Sequence, residues 1–143
     1  MADTSRATFN FELVSPERRL ISEPARMAVV PGEEGDFGVL PGHTALVATV
    51  RPGVVEVHGP EGSAVRRIFV AGGFADVTAT SCTILAEEAV SVSDLNVEAL
   101  EKSLGNLKDD LSLARDEMER ARVSRKIVLV QAKIAAATGK AAA

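Results

Sequence analysis

The side chains able to do chemistry are few, and their spacing serves it poorly. The candidates are two histidines, His43 and His58, one cysteine, Cys82, and the run "PGEEGDFGVLPGHTALVATVRPG" from Pro31 to Gly53. That run packs five of the chain's 11 glycines and three of its six prolines around three carboxylates, Glu33, Glu34 and Asp36. Gly32, Gly35 and Gly38 repeat as Gly-x-x-Gly-x-x-Gly, which is neither the dinucleotide fingerprint nor a Walker loop. A phosphate cradle also needs a helix N-terminus and positive charge, and here no helix follows and the charge is negative. The histidines lack a His-x-x-x-His spacing, and one cysteine cannot build a thiolate metal site. His43 and His58 read as surface or hydrogen-bonded residues beside turns, and Cys82 as a small core residue in a strand pattern. Glu87 and Glu88, adjacent in an expected strand, point to opposite faces and cannot pair as acid and base. Neither catalysis nor a metal is expected of this chain.

The elements that must position these residues fall into two halves. At 143 residues, 46% of them apolar, the chain is long enough for one domain or for a small domain with an appendage. With 3% aromatics and a net charge of −4, it has neither the stacking platforms nor the positive field of a nucleic-acid binder. The charge is uneven. Residues 1–94 carry seven basic and thirteen acidic side chains, whereas residues 95–143 carry nine and seven, so the halves stand at −6 and +2. The single cysteine excludes an intrachain disulfide. The opening "MADTSRATFNF" has no apolar signal region, and no run approaches the ~18 apolar residues of a membrane span.

The first half alternates with period 2. Phe9, Phe11 and Leu13 take one phase, and strand-like runs follow in "RMAVV", "ALVATV", "VVEVH", "AVRRIFV", "GFADVTA" and "CTILAEEAV". Turn residues separate them, and "HGPEG" and "AGG" read as hairpin connections. Many short strands at this spacing predict an all-β sandwich. After "SVSD" the period changes. Val97, Leu100, Leu104, Leu107 and Leu111 form one helix stripe, and Val123, Ile127, Val130, Ile134 and Ala137 form another. Ser93, Asp94 or Asn96 can cap the first helix, and Ser112, followed by Asp116 and Glu117, signals a second start. The stripes are out of step, which predicts an α-helical hairpin. One long helix remains open as an alternative, because Ala114, Met118, Ala121, Arg125 and Val128 extend the first stripe. The expected division is 1–92 for the sandwich and 93–143 for the helices and a flexible tail.

The order "GDFGVLPGH", "RPG", "AGGF" and "CTILAEEAV", from about Thr8 to Val92, resembles the epsilon subunit family of F-type ATP synthases. The resemblance implies a ten-stranded sandwich and a two-helix C-terminal domain. It implies a non-catalytic central-stalk subunit of the rotor that grips the gamma subunit and rests on the c ring. The expected location is peripheral, on the cytoplasmic face of a bacterial inner membrane. By matching position, Asp36, Phe37 and His43 fall where the family meets the ring and the foot of gamma. Glu34 and Asp36 would offer negative charge to the ring's polar loops. In many members the C-terminal helices also restrain ATP hydrolysis. Arg115, Arg120, Arg122, Arg125 and Lys126 then either meet acidic segments of the alpha and beta subunits or form a solvated face interleaved with Asp116, Glu117 and Glu119. Some relatives bind ATP through Ile/Leu-Asp-x-x-Arg-Ala at the start of the first helix. Here Asn96 replaces the Asp and Ala99 the Arg, which removes the main phosphate partner, so no nucleotide cofactor is expected. The competing reading is a β-sandwich interaction module with a helical dimerisation tail.

Overall fold

A computed structural model describes residues 7–139, and the expected flexible tail beyond Gly139 lies outside them. The chain divides into two compact units at Ser91/Val92. In the first, ten strands follow in order: β1 (Phe9–Val14), β2 (Arg19–Ala25), β3 (Met27–Gly32), β4 (Gly35–Val39), β5 (Leu46–Val50), β6 (Gly53–His58), β7 (Arg66–Val70), β8 (Gly73–Val77), β9 (Ser81–Ala86) and β10 (Ala89–Ser91). They join in the order β10-β7-β6-β3-β5-β8-β9-β1-β2, with β4 on the other side of β3. This is the ten-stranded sandwich that the alternation and the resemblance called for.

Alternation builds the core. Phe9, Phe11 and Leu13 of β1 are buried together with Val55 and Val57 of β6, Ala75 and Val77 of β8, and Cys82 and Ile84 of β9. Burying a side chain of this size contributes about 1.5–3 kcal/mol against the entropy of ordering the chain. Pro31 marks where the sheet changes partners. β3 pairs with β6 through Met27, Ala28 and Val29, then with β5 at Gly32 and Val50. Lacking an N–H, Pro31 suits the point where one ladder ends and the next begins.

Period 2 alone marked seven runs. It missed β2, whose proline and charges break the pattern, and β4, where glycines dilute it. It also merged β9 with β10, which Glu87 and Glu88 separate as a turn rather than lying in a strand. The "AGG" hairpin is corrected by the topology. β7 pairs with β6 and β10, and β8 with β5 and β9, so Gly72 and Gly73 carry the chain between ladders. Gly73 has φ 146°, and a Cβ there would stand 1.8 Å from the Leu85 carbonyl oxygen. Only glycine fits.

The second unit opens with a 3₁₀ turn at Val92–Asp94 and continues as α1 (Val97–Ser112) and α2 (Glu117–Thr138). Two helices form, and the single long helix does not. Asn96 caps α1, its side chain accepting from the Ala99 N–H at 3.1 Å. α2 is capped by Asp116, which accepts from the Glu119 N–H at 2.7 Å. The expected start signal at Ser112 instead closes α1, its hydroxyl donating to the Asp109 carbonyl. Gly139, at φ 73°, ends α2 in the left-handed conformation. Both stripes face inward, but Val123 is the one buried side chain in the two helices.

Candidate functional site

The acidic run folds as a hairpin. β3 and β4 pair from Ala28–Val39 down to Gly32–Gly35, leaving Glu33 and Glu34 as a two-residue turn. Neither apex glutamate has a positive φ; the positive φ, 138°, falls on Gly35, the first residue of β4, where glycine alone adopts it freely. Gly32 is glycine for a different reason. A Cβ there would stand 2.7 Å from the Gly35 carbonyl oxygen and 3.0 Å from the ring of Phe37, which packs against the sandwich core. The Glu33 N–H donates to the Thr49 carbonyl and fastens the turn to β5.

This answers the phosphate question. Glu33, Glu34 and Asp36 are exposed and share one tip. Beneath them lies a groove of about 480 Å³, lined by residues 32–37 of the hairpin and by Leu46, Val47, Ala48 and Thr49 of β5. Carboxylates above apolar side chains suit a cationic group on an aliphatic stem, such as arginine or lysine. The Asp36 carboxylate already has one internal partner, the Arg51 guanidinium at 2.6 Å.

Of the four residues assigned to this surface, Glu34, Asp36 and Phe37 come together. His43 does not join them. It sits half-buried in the turn after β4, its Nδ1 donating to the Thr44 carbonyl at 2.6 Å, and it does not line the groove. The neighbouring Gly42 N–H donates to the Ala79 carbonyl, which ties His43's turn to the β8–β9 connection. His58 lies at the end of β6 and bonds the Glu56 carboxylate at 2.7 Å. Cys82 is buried, and that burial, with Asp76 adding to it, pushes its thiol up to about 12.

Sequence reasoning missed an apolar ridge next to the groove. Phe74 on β8 stands directly opposite Leu85 on β9 and Thr49 on β5, and Val47 lies two residues along β5 from Thr49. Their exposures are 55%, 50% and 70%. Large apolar side chains clustered in solvent mark a contact surface. A signal was available, since Phe74 and Leu85 occupy the phase opposite to buried Ala75, Val77, Ile84 and Ala86. Val47 belongs to both ridge and groove, so the two form one continuous face.

The basic residues of the helical unit separate. Arg115 lies in the link between the helices, and Arg120 pairs with Glu117 at 3.2 Å. Arg122, Arg125 and Lys126 make no ion pair among the described residues. By helical spacing they share an exposed face with Met118 and Val128.

A ten-stranded sandwich bearing an acidic tip, an apolar ridge and a capped helical hairpin defines a subunit built around contact surfaces. Residues 8–92 match the family described as "ATP synthase, Delta/Epsilon chain, beta-sandwich domain". The ATP synthase epsilon chain of Rhodospirillum centenum is 51% identical over 128 residues, covering 87% of this chain and 88% of that protein. The epsilon chain of Rhodospirillum rubrum is 48% identical, covering 92% and 98%. Among solved structures, a chain of the Euglena gracilis mitochondrial ATP synthase (OSCP/F1/c-ring, rotational state 1) superposes with a TM-score of 0.80 at 28% identity, covering 91% of this chain and 81% of that one. A chain of the Tetrahymena thermophila mitochondrial ATP synthase central stalk and c ring shares the fold, with a TM-score of 0.67 at 14% identity. This chain belongs to the delta/epsilon family of ATP synthase subunits.

Proposed function

We propose that the chain is the epsilon-type rotor subunit of a bacterial F-type ATP synthase. It joins the gamma shaft to the c ring and takes no part in the chemistry. The observation that carries the reading is the continuous face of groove and ridge on a sandwich whose relatives are epsilon chains. The acidic tip, with Glu34, Asp36 and Phe37, meets the ring, where arginine on a polar loop would complete charge-assisted hydrogen bonds. The ridge of Val47, Phe74 and Leu85 meets gamma, with His43 at the same partner's foot. Among the described residues no helix is long and apolar enough to cross a membrane, and attachment to the cytoplasmic face runs through these partners. The start of α1 holds no nucleotide. The Asn96 side chain is engaged in capping, and Ala99 offers no cation.

The double variant Glu34→Lys/Asp36→Lys tests the reading in the assembled enzyme. It retains gamma, loses the ring, and uncouples proton flow from synthesis. Coupling indistinguishable from wild type removes the role assigned to the tip. The exposed basic face of α2 supports a second role, restraint of hydrolysis by contact with acidic segments of alpha and beta. Removal of the chain after Val92 then raises ATPase activity of the complex, and unchanged activity places the restraint elsewhere.

A further inference from the structure

Arg51 follows β5 and reaches both strands of the acidic hairpin. Its backbone N–H donates to the Pro31 carbonyl at 2.9 Å. Its Nη1 donates to the Gly32 carbonyl at 2.6 Å, and its Nη2 to Asp36 Oδ1 at 2.6 Å. Pro31 and Gly32 belong to β3, and Asp36 to β4. The guanidinium is a rigid planar fork, so holding the Gly32 carbonyl with one arm fixes where the other presents itself to Asp36. No other side chain at this end of β3 can donate, because proline and glycine occupy it.

The carboxylates of the tip are therefore unequal. Asp36 has one oxygen bound internally. Glu33 and Glu34, at the apex, are exposed and make no ion pair or side-chain hydrogen bond among the described residues. The Arg51–Asp36 pair is itself well exposed, with side chains at 43% and 59%. An ion pair so placed adds little to stability. Its consequence is orientation.

We infer that Arg51 is a positioning residue of the acidic tip, one that ties Asp36 to the hairpin so that Glu33 and Glu34 supply the free charge meeting a cationic partner. This rests on the reading that the tip faces the c ring, and it divides the labour within that contact. Asp36 shapes the tip, and the two glutamates attract. Charge removed from Asp36 while its acceptor oxygen is kept should cost little, and charge removed from the apex should cost much.

The test titrates the full chain, complexed with gamma, onto isolated c ring at several salt concentrations. Asp36→Asn retains an acceptor for Nη2 and should change the dissociation constant by less than about twofold. Glu33→Gln/Glu34→Gln should weaken binding about tenfold at low salt and flatten the salt dependence. Arg51→Ala should weaken binding about fivefold with the melting temperature unmoved, and Arg51→Lys, which lacks the fork, should not restore it. Two results overturn the assignment: Asp36→Asn weakening binding as much as the double glutamine variant, or Arg51→Ala binding like wild type. Absence of binding by the wild-type chain sinks the c-ring reading and this assignment with it. Wild-type binding that Arg51→Ala leaves intact sinks the assignment alone.

Discussion

The sandwich and the helical hairpin solve the same problem by different means. In the sandwich, strands distant in sequence bury Phe11, Leu13, Val30, Val55, Val77 and Ile84 completely, and each strand exists because its neighbours cover it. In the hairpin, each helix makes its own backbone hydrogen bonds, carries its own cap, and shares a half-buried stripe in which Val123 alone is buried. The first arrangement is cooperative and stiff. The second is stitched locally and only lightly sealed, so less free energy opposes its opening.

The largest expected effect separates the two kinds of packing. Phe11→Ala empties a fully buried site and should cost about 3–5 kcal/mol in denaturant unfolding. Leu104→Ala on the half-buried stripe of α1 should cost about 1 kcal/mol. Equal losses would break the contrast.

Alkaline pH sharpens the same contrast through Cys82. Its thiol stands at about 12 in the folded sandwich, against 9.0 when unperturbed. The folded state holds the proton more tightly, so this contribution is complete below pH 9 and is lost as pH climbs through about 12. Wild type should therefore lose stability over that window more steeply than Cys82→Ala, and its thiol should resist alkylation at pH 8 until the sandwich unfolds. Rapid labelling of the native chain would show that the sandwich opens as readily as the helices.

The smallest effect belongs to the caps. Asp116→Ala removes the acceptor for the Glu119 N–H and should cost α2 about 1 kcal/mol, read as lost helicity on heating, with Ser112→Ala costing less. If Ser112→Ala costs more, the start of the second helix is set by α1's last turn and not by its own cap.

Legibility followed the same line between local and tertiary. The helix stripes and the alternating runs of β1, β6 and β9 were readable because each is a local repeat with one buried phase, whereas the cap of α1 stood among three candidates, Ser93, Asp94 and Asn96. β2 and β4 were not, because proline, charge and glycine interrupt the alternation and pairing with β1 and β3 imposes the strand. At the site, Glu34, Asp36 and Phe37 were legible as a turn carrying charge. Two of its features were hidden: the Arg51 partner lies fifteen residues from Asp36, and the turn that holds His43 is tied to Ala79 through the Gly42 N–H.

What the sequence determined by itself was the two-part build, the buried phase of most strands, the helix faces and the sign of charge at the tip, since all of these depend on neighbours within a few residues. Only the tertiary structure decided which ladders join and which turns link them. It alone tied Asp36 to Arg51 and set Val47, Phe74 and Leu85 on one face. Hydrogen-bond pairing between strands is a choice among many partners of similar local sequence, and that choice is settled by which arrangement closes a single core.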